Sequence, residues 1–482
     1  MNRENTKYLK LPLGLGWVFG DYSQWLYYFC RMKKWAERIR AKLKYYFDRS
    51  YNDKLKKSVL QAIPFWVGSV ITGILAVFYA KAFHWAEDFL KMILGIHPLL
   101  IFILTPVCFV ASWWLIKRFS PYAKGSGIPQ VMASIDLATP ANGKKVHRLL
   151  NIKVLIIKIL SSMLMVMGGG IVGREGPTIQ IAGSVFTTIN KYLPKWWVKI
   201  SERNMIMTGA AAGLSAAFNT PLGGIVFAIE ELAKTHIKYF KTALFTAVII
   251  AGLTSQTLAG SYLYLGYPKT QNITLFVMLP VILVSGISGL LASQFSIYIL
   301  KLSRWKEEKL KSTRSNILFL ILSALVIASI SYFLSSDILG SGKGLIEDVL
   351  FSEQKQKAWY TPFIRMIGCA LSFTSGAAGG IFAPALSIGA SIGAVFSDLI
   401  HLSPAETNVV ILSGMVAFLT GITRAPFTSA IIVLEMTDRH SLIFHLMLAG
   451  IISSVVSLLI SRHSLYEYIK MGFIKKAISN KQ

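Results

Sequence analysis

Apolar runs of membrane-spanning length recur from about Val59 to Ile460, and glycine or proline interrupts many of them. That combination sets the terms on which the chain can fold. In hydrocarbon no water satisfies the backbone, so a spanning segment must be helical, and a break is tolerated only where protein or a polar cavity covers the freed groups. Hydrophobic residues make up 54% of the 482 residues, and the mean hydropathy is +0.54. The chain therefore reads as an all-α polytopic membrane protein. Candidate spans lie near 59–83, 92–116, 149–172, 205–229, 243–265, 273–300, 316–335, 361–373, 385–400, 409–434 and 442–460. Several are too short or too Gly-rich to cross simply, which predicts tilted, broken or re-entrant helices.

A net charge of +27 would suggest a nucleic-acid partner in a soluble protein, but its distribution argues against one. Residues 1–57 hold 14 Lys/Arg against 5 Asp/Glu, 301–314 hold six against two, and the tail from Lys470 adds four with no acid. Blocks of this kind flanking spans are what the positive-inside rule expects of cytoplasmic segments, and they also suit anionic headgroups. Both termini are thus expected in the cytoplasm. The patch from Leu11 to Cys30 is interrupted by Asp21 and Gln24 and rich in Trp and Tyr, so it reads as an interfacial helix rather than a cleaved signal. Cys30, Cys108 and Cys369 have no paired spacing, and neither a disulfide framework nor a metal site is expected.

Within one apolar stretch stands Glu175, in Gly173-Arg174-Glu175-Gly176-Pro177. A charge at membrane depth costs roughly 2.5–3.5 kcal/mol on insertion scales, so it is a functional candidate by default. The alternative is a carboxylate permanently paired with Arg174.

The chain also repeats itself. Residues 213–231 align with 418–436, laying Pro221 on Pro426 and Glu230 on Glu435. In nearly the same register Gly173-Arg174-Glu175-Gly176-Pro177 falls on Gly380-Ile381-Phe382-Ala383-Pro384, and Gly125-Ser126-Gly127 falls on Gly340-Ser341-Gly342. Broken apolar segments at corresponding positions of two halves point to a transporter's midplane site. Each break presents a helix start, with orphan N–H donors and about half a positive charge, an environment that favours anions. Three breaks, at Gly125 to Pro129, Gly173 to Pro177 and Gly379 to Pro384, are expected to converge on one point. Few acidic residues accompany them, which disfavours a cation site.

These strings carry a family resemblance. GSGIPQV (Gly125 to Val131), GREGPTIQI (Gly173 to Ile181) and GGIFAPAL (Gly379 to Leu386) resemble the signature segments of the CLC chloride channel and transporter family. The likeness continues through Gly209 to Glu231 and Arg424 to Asp438, and covers nearly everything from residue 60 to 468. It implies an inverted repeat of tilted and broken helices, assembled as a homodimer with one anion pathway per subunit. The prokaryotic Cl−/H+ exchanger branch is the nearest in pattern, which implies a bacterial inner membrane. The implied division is a basic N-terminal segment 1–57, a first repeat 58–270, a second repeat 271–468 and a short basic tail 469–482.

By the same resemblance, Ser126 matches an anion-coordinating serine, which read alone would be a helix N-cap. Ile381 and Phe382 match positions whose backbone N–H groups face the anion, although Phe382 alone would be core packing. Tyr466 matches the tyrosine whose hydroxyl completes the site. Glu175 matches the gating glutamate, which competes with chloride when ionised and swings away when protonated. Glu231 matches an inner glutamate of exchangers, usually replaced in channels, and so favours antiport. Glu230, repeated as Glu435, looks structural. Lys158 matches a buried lysine that raises the local potential for anions together with Arg174, with snorkelling as its alternative. Gly125, Gly127, Pro129, Gly173, Gly176, Pro177, Gly380 and Pro384 shape the breaks.

Two features depart from the best-known bacterial exchangers: Gln130 and Met132 stand where those carry acids, and the chain ends at Gln482 without room for paired regulatory domains. Serine at 126 resembles chloride-preferring members, so chloride is the expected substrate ion and no cofactor is implied. The alternatives are a passive chloride channel and an intramembrane serine hydrolase on Ser126. The second needs a histidine within reach of that hydroxyl, and His445 has no motif linking it there.

Overall fold

A computed structural model of the chain describes residues 53–194, 196–233, 241–260, 263–271, 273–353 and 355–479. The chain divides into two units, 1–60 and 61–482, and the membrane architecture is that of the larger one. The expected interfacial helix at 11–30 and Cys30 lie outside the described residues.

The helices run in the order α1 (Asp53–Ile96), α2 (Ile101–Phe119), α3 (Ile128–Leu137), α4 (Gly143–Leu149), α5 (Ile152–Met167), α6 (Glu175–Tyr192), α7 (Glu202–Phe218), α8 (Pro221–Phe227) and α9 (Lys241–Ala259). The second half supplies α10 (Met278–Lys309), α11 (Thr313–Phe333), α12 (Lys343–Phe351), α13 (Thr361–Thr374), α14 (Phe382–Leu399), α15 (Pro404–Thr423), α16 (Pro426–Thr437), α17 (Ile443–Ile460) and α18 (Leu465–Ser479). Nine helices among the described residues are long and apolar enough to cross a membrane. Their outer faces show large apolar groups such as Phe78, Ile103, Phe333 and Leu459, a surface that suits lipid.

Three expected spans are not continuous: 92–116 is cut at His97, where the first helix has already ended, and two others break within their buried part. The run 205–229 breaks at Asn219 and the run 409–434 at Arg424, both of which adopt left-handed backbone (φ 58° and 67°). The next helix starts in each case on a proline, Pro221 or Pro426, whose fixed φ suits a first turn. A non-glycine residue in that region costs about 1 kcal/mol, and it occurs at the same position of both repeats. The first span is longer than expected, since α1 continues to Ile96.

α7 and α15 are the buried centres of the two halves. Every residue from Met205 to Phe218, and from Thr407 to Thr423, is buried. Helices buried on all sides must approach by their backbones, and small residues permit this. A Cβ on Gly389 of α14 would strike the carbonyl of Gly414 on α15, and one on Gly213 of α7 would meet Ala182 of α6.

The halves cap each other. Glu230 accepts from the N–H of Phe427 (3.2 Å) and Thr428 (2.7 Å) at the start of α16. Glu435 accepts from Leu222 (3.0 Å) and Gly223 (2.7 Å) at the start of α8. Each repeated glutamate thus satisfies the orphan donors of its counterpart's helix. Removing either leaves two helix-start donors unpaired, at a cost of about 1–3 kcal/mol. Glu435→Ala and Glu230→Ala should each lower the thermal unfolding midpoint in detergent. Exposed Glu308→Ala should leave it nearly unchanged, and equal midpoints for all three would contradict the reciprocal capping.

Candidate functional site

The three broken segments are joined by backbone pairs. Gly125 donates to Ala377 O (2.7 Å) and accepts from Gly379 N (3.1 Å). Gly173 and Gly380, equivalent positions of the two repeats, exchange both hydrogen bonds at 2.8 Å. Glu175 is the first residue of α6 and Phe382 the first of α14, so this one pair sets two helix starts side by side. Pro177 and Pro384 fall in those first turns, where a missing N–H costs nothing. Gly127 sits at φ 109° ahead of Pro129 in α3, and a Cβ there would lie 2.7 Å from Gly176 O. A Cβ on Gly176 would run into Ser126 Oγ, and one on Gly173 into the Glu175 carboxylate.

Around these starts the side chains converge. Ser126, Glu175, Ile381, Phe382 and Tyr466 are all buried. Ser126 Oγ and Tyr466 OH face one another without closing a hydrogen bond, and neither has another protein partner. Ser126 does not cap α3; Gly127 occupies that position. Glu175 Oε1 accepts from Tyr264 OH at 3.2 Å, while Oε2 has no partner of good geometry. Arg174 approaches the carboxylate only to 4.0 Å, the outer limit of an ion pair. Phe382 packs on Phe218, with ring centroids 5.4 Å apart, and Phe218 packs on Tyr264 at 5.2 Å. Phe382 is therefore core packing by its ring, while its backbone opens α14.

Lys158 does not snorkel. It is fully buried on α5, and its Nζ donates to Ala123 O (2.9 Å) and Gly125 O (2.6 Å). Arg365 on α13 stands in the same register 207 residues later and is also fully buried, facing Ile338 O and Gly340 O. The carbonyls it meets are the counterparts of those that Lys158 meets. Glu231 lies in a π turn, Ala228–Leu232, nearly buried and within electrostatic range of Tyr466. Gln130 turns its amide to the carbonyls of Tyr122 (3.2 Å) and Lys124 (2.5 Å), bracing the loop that leads to Ser126.

Two cavities approach this point. One, of about 320 Å³, is lined by α1 residues 76–87 with Arg174, Tyr264 and Lys343, and it reaches Glu175. The other, of about 520 Å³, is lined by Lys124, Arg304, Glu307, Lys475 and Lys476, and it reaches Ser126.

Two contributors carry no mark in the motifs. Arg365 is reachable from the sequence only by carrying the repeat register from Lys158. Tyr264 lies in the stretch that follows α9, where no motif points to it. Among the described residues no histidine meets Ser126 Oγ, so the arrangement required for a serine hydrolase is missing.

Known proteins share this architecture. Bacterial proteins named H(+)/Cl(-) exchange transporter ClcA are similar to the chain. The protein from Citrobacter koseri is 27% identical over 430 residues, and that from Salmonella arizonae 28% over 429, in each case covering 84% of this chain and 86% of the relative. Among solved structures, a slow cyanobacterial Cl−/H+ antiporter superposes with a TM-score of 0.75 at 24% identity, covering 88% of this chain and 99% of its own. A CLC-type fluoride/proton antiporter gives 0.72 at 19%, covering 86% and 98%. A family model described as voltage gated chloride channel matches residues 107–458. With most of its length under that match and the same inverted fold of broken helices, the chain belongs to the voltage gated chloride channel, or CLC, family.

Proposed function

We propose that the protein is a secondary active antiporter that moves chloride across a membrane in exchange for protons. The observation that carries this reading is the group of buried polar atoms with no well-formed hydrogen bond to protein: Ser126 Oγ and Tyr466 OH, which face one another, and Glu175 Oε2, beside the first-turn amides. Two hydroxyl donors and the first-turn N–H groups of α14 make a neutral, donor-rich setting for a halide. Dipoles hold an ion less tightly than a buried ammonium contact, which suits a site that must also release it. Lys158 is kept back from the ion by the carbonyls it serves, and acts through its field.

In this reading Glu175 is the tethered competitor. As a carboxylate it claims the first-turn amides of α6 and α14; as a neutral acid it loses that attraction and yields to the anion. Each proton it takes or gives is tied to the anion's passage. Glu231, near the Ser126 side of the pathway, is the inner proton donor and acceptor. The named relatives are exchangers, and the presence of Glu231 favours exchange over a passive channel. We further propose repeats at 58–270 and 271–468, a basic N-terminal segment 1–57 and a tail 469–482. The protein works as a homodimer with one pathway per subunit, in a bacterial inner membrane with both termini cytoplasmic.

In proteoliposomes a chloride gradient should drive proton movement through the wild-type protein. Glu175→Gln and Glu231→Gln should each abolish proton movement while chloride still flows. Chloride flux without protons in the wild type would make the protein a channel, and proton movement surviving both substitutions would remove these two residues from the proton path.

Ser126→Ala deletes one hydroxyl donor and should weaken chloride binding by about fivefold, the equivalent of one net hydrogen bond. Gly176→Ala drives a methyl group into Ser126 Oγ and should weaken it at least as much. Calorimetric titration of the detergent-solubilised protein reads both, and unchanged affinity in both variants would take Ser126 out of the site.

A further inference from the structure

A third cavity, of about 350 Å³, adjoins the 520 Å³ one and shares Leu300, Arg304 and Tyr468 with it, at the C-terminal ends of α10, α15 and α17 and the start of α18. Its walls carry Lys301, Arg304, Arg424, Arg462 and His463, and among the described residues no carboxylate lines it. Glu467, in the first turn of α18, is engaged with His463 at 3.1 Å. Two polar atoms on these walls are buried without partners: Ser293 Oγ, on a residue only 1% exposed, and Arg424 Nε. The Arg424 guanidinium is anchored by its Nη2 donating to Ser457 O (2.6 Å) and Ser461 O (2.9 Å) and its Nη1 to Ser454 O (3.5 Å), which holds the Nε–H in position. Such a concentration of cations repels itself unless an anion is present, and a fixed guanidinium N–H and a buried hydroxyl are charge-assisted and neutral donors that an oxyanion can accept from.

We propose that this cavity binds a phosphate ester. It is too roomy for one halide, and its cations outnumber any single negative charge. The surrounding surface favours a lipid headgroup as the source, because α17 exposes Val455, Leu458 and Leu459 beside the cavity wall at Ile460, and α10 exposes Tyr298 and Trp305. Basic pockets between spanning helices hold phospholipid headgroups in this way. Lys301, Arg424, Arg462 and His463 line this cavity and not the one that reaches Ser126, and the site stands whether or not protons are coupled to chloride.

The test uses the full chain in detergent, stripped of lipid and measured by native mass spectrometry. One arm supplies phosphatidylglycerol and the other inorganic phosphate. Lys301→Gln and Arg462→Gln alter exposed side chains, and size-exclusion elution matching the wild type verifies folding. The wild type should retain phosphatidylglycerol, and each substitution should weaken retention about fivefold. If phosphate is held instead and lost in the variants, the site stands with a soluble ester as its ligand. If neither probe distinguishes wild type from the two variants, the proposal is overturned.

Discussion

The pair of hydrogen bonds between Gly173 and Gly380 is the constraint on which the site depends. Two residues in equivalent places of a repeat can exchange backbone bonds in this way only if the repeats face each other across a local twofold axis. Once that pair forms, α6 and α14 begin beside one another, and Glu175 and Phe382 open the two helices. Both positions must be small: a side chain at 173 would collide with the Glu175 carboxylate, and one at 380 would crowd Gly173 O and Pro177. The glycines are therefore part of the site's geometry as well as of its flexibility.

Breaking helices inside a membrane exposes carbonyls as well as N–H groups, and the chain deals with the two ends differently. In the proposed reading the N–H ends of α6 and α14 are the ones that meet the anion. The carbonyl side is met by buried cations, Lys158 in the first half and Arg365 in the second, each facing the loop that precedes a Gly-Ser-Gly sequence. A third, Lys306, donates to Thr374 O (2.8 Å) and Ser375 O (2.7 Å) ahead of the Gly379-Gly380 break. A buried cation is tolerable only when its donors are used. Here the carbonyls of the breaks use them, so on the proposed reading these cations act on the anion through their field and not by contact.

Much of this is legible in the sequence because breaks in apolar helices demand glycine and proline, and those residues stand out. Glu175 is conspicuous for the same reason, as a charge among apolar neighbours. The repeat pairs Glu230 with Glu435, but only the fold reveals that each caps the other's helix start. The left-handed turns at Asn219 and Arg424 are hidden because neither residue is glycine, and the apolar pattern runs on past them. Arg365 escapes notice because it is partnered by backbone carbonyls, which leave no mark in a sequence. Tyr264 reaches Glu175 from a connection whose path is set by the packing of the two halves.

The central claim is that Ser126, Tyr466 and the start of α14 surround a single anion position that the Glu175 carboxylate contests. Anomalous scattering from bromide-soaked crystals tests this most directly. A bromide peak is expected within hydrogen-bonding reach of Ser126 Oγ and Tyr466 OH, and in Glu175→Gln crystals a further peak where the carboxylate stood. Bromide confined to the two cavities, with none at the hydroxyls, would contradict it.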